Sequence, residues 1–84
     1  MKIVDRTTLD EALIALAARM DSDFPRGRHH ASACRMENLR GEDGINWTAK
    51  IRMEGDGASP RRVQTELDRL QRTMPRVDPA GFAD

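Results

Sequence analysis

From Ile45 to Glu54 the chain alternates strictly: Ile45, Trp47, Ala49, Ile51 and Met53 are apolar, while Asn46, Thr48, Lys50, Arg52 and Glu54 are polar. A strand sends successive side chains to opposite faces, so this pattern predicts a strand with one buried and one solvated side. Such a strand needs a hydrogen-bonding neighbour and an apolar layer over its odd-numbered face. The predicted neighbour lies upstream, from Ala31 to Leu39. There Ser32, Cys34 and Met36 share one face, and Ala31, Ala33, Arg35 and Glu37 share the other. The connection Arg40-Gly41-Glu42-Asp43-Gly44 holds two glycines and an aspartate, which suits a hairpin loop.

Two segments have the period of a helix. Leu9, Leu13, Leu16, Ala17 and Met20 form one apolar stripe, and Thr8-Leu9-Asp10-Glu11 reads as a capping box with Thr8 as N-cap. Pro25 closes that helix, and residues 22–30 read as a loop whose Phe24 can plug into the core. Farther on, Ser59-Pro60 supplies an N-cap followed by a proline at the first helical position. Val63, Leu67, Leu70 and Met74 then repeat at helical spacing until Pro75. Lys2-Ile3-Val4 reads as a short strand. Residues 77–84 read as a tail in which Val77 or Phe82 can dock. The expected fold is α+β: a small (β)αββα domain over residues 1–76, with two helices packed on one face of a short antiparallel-rich sheet.

With 84 residues the chain has room for one core and little for a deep, water-excluding pocket. This favours a binding module over an enzyme. One cysteine, Cys34, leaves no internal disulfide to form and suits a reducing compartment. The first residues lack the apolar run of a signal peptide, and the stretch from Ala12 to Ala18 is too short to span a bilayer. A cytoplasmic protein is expected.

Chemistry-bearing residues are few. His29, His30 and Cys34 offer three potential zinc ligands, but a strand places His30 and Cys34 about 13 Å apart, too far for one ion. Cys34 has no local signature of an activated nucleophile. The pairs Asp21/Asp23, Glu42/Asp43 and Glu54/Asp56 fall at element ends, where acids cap and turn the chain. Gly55-Asp56-Gly57-Ala58 lies between a strand and a helix but lacks the remaining residues of a dinucleotide or P-loop fingerprint. No catalytic residue, metal or cofactor is expected.

Charge carries more information. Formal charge is zero overall, with 14 basic and 14 acidic residues, but its sign alternates by segment. Residues 26–40 and 61–76 are basic, and all but Lys2 and Lys50 of the basic residues are arginines. On a helical wheel Arg62, Arg69, Arg72 and Arg76 project away from the apolar stripe, with Arg61 beside them. These, with Arg26 and Arg28, form the expected binding surface for an acidic partner or an anion. The competing reading is a solvated face laced by Arg62–Glu66, Glu66–Arg69 and Asp68–Arg72 pairs. The expected function is a small non-enzymatic regulatory module, of inhibitor or adaptor type, that occupies a protein partner's surface. Phages and other mobile elements encode many proteins of this character. The alternative is nucleic-acid binding through the arginine face. A homodimer that extends the sheet is a further expectation.

Overall fold

The computed structural model describes residues 3–40 and 44–82, the side chains of 37–40 excepted. The order is β1 (Ile3–Val4), α1 (Arg6–Asp23), β2 (Gly27–Arg40), β3 (Ile45–Gly55), α2 (Pro60–Thr73), β4 (Arg76–Val77) and a short 3-10 turn at Pro79–Phe82. β2 and β3 form an antiparallel hairpin, and β1 and β4 form a short parallel pair. The fold is therefore α+β, with the expected βαββα order. Both helices cover the odd-numbered side of the hairpin.

The alternation in β3 is used as expected through Ile51. Trp47 is fully buried, and Ala49 and Ile51 are half-buried beneath the helices. Met53, near the end of the strand, is 45% exposed. Leu9 and Leu13 of α1, Trp47, Leu67 of α2 and Val77 make one core cluster. Leu16, Met20 and Ala58 make a second one, flanked by Phe24, Ile51 and Val63. The Trp47 indole N–H donates to the Met74 carbonyl (2.6 Å), and the Gln71 side-chain amide donates to the Trp47 carbonyl (2.7 Å). These two bonds fasten the end of α2 to β3.

Three local expectations are corrected. The N-cap of α1 is Asp5, whose carboxylate accepts the Thr8 backbone N–H, so the helix starts before Thr8. Asp caps as well as Thr does, and the earlier start adds residues to the helix. The strand β2 begins at Gly27, so His29 and His30 lie in a ladder and not in a loop. His29 is opposite Met53 and His30 opposite Arg52, which carries pairing out to Gly27–Gly55. Finally, Asn46 has the parity of the solvated side yet is buried. β4 covers it: the Asn46 amide oxygen accepts the Val77 N–H (3.0 Å), and its amide nitrogen donates to the Val77 carbonyl (2.8 Å). One side chain thus imitates a peptide group and joins the parallel pair to the hairpin. Val77 is fully buried, so this end of the chain docks against the core. The hairpin loop expected at 40–44 falls largely outside the described residues.

Among the described residues no helix is long and apolar enough to cross a membrane.

Candidate binding surface

The arginines expected to form one helical face do not share one environment. Arg61, Arg69 and Arg72 are exposed on α2. Arg62 is half-buried and fixed: its guanidinium donates to Asp23 at the end of α1 and to Glu66 one turn along α2. The bond to Asp23 raises the Arg62 pKa further. Its guanidinium also lies over the Phe24 ring, 5.7 Å from the centroid. Arg76 sits on β4 and not on the helix, and its Nε is buried without a hydrogen-bond partner among the described residues. Arg26 is exposed in the turn after α1, and Arg28 is exposed on β2.

Glu66 explains the division. Its residue is only 6% exposed, and its carboxylate meets Arg19 (3.0 Å), Arg62 (3.3 Å) and Arg69 (3.6 Å). A buried carboxylate needs such partners, because losing water without replacement is costly. Of the expected anion surface, Arg62 is therefore engaged in holding α1 to α2, while Arg69 meets Glu66 within α2 at longer range and stays exposed. The i,i+3 and i,i+4 spacings around Glu66 signal two of these contacts in the sequence. The Arg19 and Asp23 contacts come from another helix and have no local signal.

A second buried polar cluster joins three segments. His29 has a fully buried side chain. Its Nδ1 lies 2.8 Å from Asp21 Oδ1, and its backbone N–H donates to that same oxygen (2.7 Å). On the other side of the ring, the Ala58 N–H donates to Nε2 (3.0 Å). Since Nε2 accepts, the proton sits on Nδ1 and is donated to Asp21. The hydrogen bond from His29 holds the Asp21 carboxyl below the usual aspartate range. An Asp–His pair of this kind resembles a general-base dyad, but here both ring nitrogens are engaged and the ring is out of solvent. Its role is to pin the end of α1, the start of β2 and the β3–α2 turn together. Glycines allow the approach. A Cβ on Gly57 would lie 2.6 Å from His29 Nε2, and one on Gly27 would lie 2.5 Å from the Gly57 Cα.

Cys34 is half-buried on the face of β2 away from the helices, where its thiol lies 3.8 Å from the Ser32 carbonyl oxygen. His30 shares that face and His29 takes the opposite one, so the histidine pair is split across the sheet. Among the described residues, no group of three His, Cys, Asp or Glu side chains converges as a metal site.

The uncovered face of the hairpin brings together residues the sequence had separated. The register sets Arg28 opposite Glu54, His30 opposite Arg52, Ser32 opposite Lys50, and Cys34 opposite Thr48. Arg28, His30, Ser32, Lys50, Arg52 and Glu54 are all exposed. Among the described residues, Arg28, Lys50 and Arg52 form no salt bridge. Of these only Arg28 belongs to the binding surface expected from the sequence. The signal for the others was present: Lys50 and Arg52 occupy successive polar positions of the alternating strand. Their grouping with Arg28 and His30 required the register.

Comparison of the chain with known protein families, with curated proteins and with solved structures finds no match.

Proposed function

We propose that this chain is a small non-catalytic binding module that recognises an anionic partner with the helix-free face of its β2–β3 hairpin. The observation that supports this is the exposed group of Arg28, Lys50 and Arg52, with His30 among them, on a face that neither helix covers. Cations grouped on one sheet face, without salt bridges among the described residues, attract negative charge. The exposed arginines of α2, Arg61 and Arg72, form a second and sparser patch. We take the module to act by occupying its partner's surface, as a regulator or inhibitor in the cytoplasm. The reducing-compartment reading of a lone cysteine supports that setting.

Retention on an anionic heparin matrix tests the proposed face. Lys50→Glu with Arg52→Glu is expected to elute at clearly lower salt than the native chain. Arg61→Glu with Arg72→Glu makes the same change in net charge on the other surface and is expected to matter less. Equal shifts for the two pairs would refute the assignment to the hairpin.

A further inference from the structure

We infer that the partner of the hairpin face is double-stranded DNA, bound through its phosphate backbone. This rests on the proposed binding face and adds the chemical class of what it binds. Three observations point the same way.

The first is what the face lacks. Its exposed residues are Arg28, His30, Ser32, Lys50, Arg52 and Glu54, with Cys34, Met36 and Thr48 half-buried toward the loop end. Among the described residues of this face there is no phenylalanine, tyrosine or tryptophan and no exposed aliphatic side chain. Protein interfaces draw most of their affinity from buried aromatic or apolar anchors, and the described residues of this face offer none exposed. Binding to single-stranded nucleic acid uses runs of aromatic stacking platforms, and among the described residues of this face His30 is the one aromatic ring. A partner held mainly by charge and hydrogen bonds to oxygen fits the residues present.

The second is the set of donors. Arginine, lysine and hydroxyl side chains are the usual ligands of phosphate oxygens. Here the Lys50 ammonium stands opposite the Ser32 hydroxyl, and the Arg52 guanidinium opposite the His30 imidazole. Glu54 offsets part of the charge of Arg28, whose field also reaches Asp21. Of the cations of this face, Lys50, followed by Arg52, lies farther along the ribbon from Glu54.

The third is shape. The hairpin is a two-stranded antiparallel ribbon, with its strands about 4.8 Å apart. The major groove of B-form DNA, about 12 Å wide, admits such a ribbon, whereas the major groove of A-form RNA is too narrow. Both helices lie behind the ribbon and do not obstruct that approach.

Fluorescence anisotropy with a labelled DNA duplex of mixed sequence tests the inference. With three phosphate contacts, the affinity is expected to fall about 40-fold between 50 and 200 mM NaCl. In the Lys50→Ala/Arg52→Ala variant, one contact remains and the fall is expected to be only about 3- to 4-fold. The Arg61→Ala/Arg72→Ala variant should retain the native salt dependence. A matched RNA duplex, a single strand and polyglutamate serve as competitors. If RNA or single-stranded DNA displaces the duplex more effectively than duplex DNA itself, the inference is overturned. If polyglutamate binds the hairpin face and DNA does not, the inference fails and the anionic-partner reading survives. If the α2 variant loses binding and the hairpin variant retains it, both fail. Absence of binding to every probe at 50 mM NaCl also removes both.

Discussion

Asn46 offers the sharpest test of how the fold is assembled. It joins β4 to β3 through two hydrogen bonds, one in each direction, to the backbone N–H and C=O of one buried residue, Val77. Asn46→Ala removes both and leaves a buried N–H and a buried C=O without partners. At about 1–3 kcal/mol for each orphaned group, the expected loss is about 2–6 kcal/mol. A domain of this length has only about 4–13 kcal/mol in total, so the variant is expected to be severely weakened. Asn46→Asp is more informative because its shape is unchanged. The introduced carboxylate still accepts from the Val77 N–H, but its second oxygen then faces the Val77 carbonyl. Once protonated, that oxygen donates, and the original bonding pattern returns. The folded form therefore favours the protonated acid, and its pKa there is raised above the unfolded value. For a raised pKa, stability is gained as pH falls through the folded value, at about 1.4 kcal/mol per pH unit until the unfolded value is reached. Urea denaturation at pH 7 and pH 5 reads this directly. Asn46→Asp should be no more stable than Asn46→Ala at pH 7 and clearly more stable at pH 5. Identical pH dependence in the two variants, or a loss below about 1 kcal/mol in Asn46→Ala, would refute the bridging role.

The His29 cluster leads to related expectations. His29→Phe fills the space but strands the Ala58 N–H and removes a partner from Asp21, so a loss of about 2–4 kcal/mol is expected in urea denaturation; an unchanged midpoint would contradict the pinning role. Gly57→Ala pushes a methyl group against the His29 ring and is expected to cost about 1–3 kcal/mol, seen as a lower thermal midpoint. Asp21 and Asp5 both have lowered pKa values in the fold, the first through His29 and the second through Thr8. For lowered values the contribution is present above the ordinary aspartate range, near 3.8, and is lost as pH falls through the folded values. Acid titration followed by circular dichroism should show a decline beginning below about pH 4, shallower in Asp21→Asn. If that variant has the native acid profile, the Asp21–His29 bond contributes nothing to stability.

Glu66 shows why an arginine-rich helix face is an uncertain guide to binding. A wheel of α2 places Arg62 and Arg69 opposite the apolar stripe, and the sequence there is strongly basic. The wheel cannot show that Arg19 and Asp23 of α1 come to the same side, nor that Glu66 is buried between them. Once they do, Arg62 becomes part of the contact between helices, and Arg69 shares the Glu66 carboxylate from within α2. On the hairpin, by contrast, β2 and β3 bring Arg28, Lys50 and Arg52 to one face with no salt bridge among the described residues.

What the sequence determined by itself was local. The strand of Ile45 to Met53, the apolar stripes of both helices, the Ser59-Pro60 start of α2 and the hairpin pairing all follow from periods of two or 3.6 and from capping chemistry within a few residues. The placement of Asp5 as the N-cap was a choice between two competent residues close together, settled by how far the helix extends. Tertiary structure alone decided the rest. β1 and β4 are two residues each, too short for any period, and they meet across more than seventy positions. Asn46 became buried only because β4 lies over it, and His29 because Asp21 and the Ala58 N–H close on its two nitrogens. Lys50 and Arg52 joined Arg28 and His30 only through the hairpin register. A side chain's face can be read from its neighbours in sequence, but its partners depend on which distant segment comes to lie against that face.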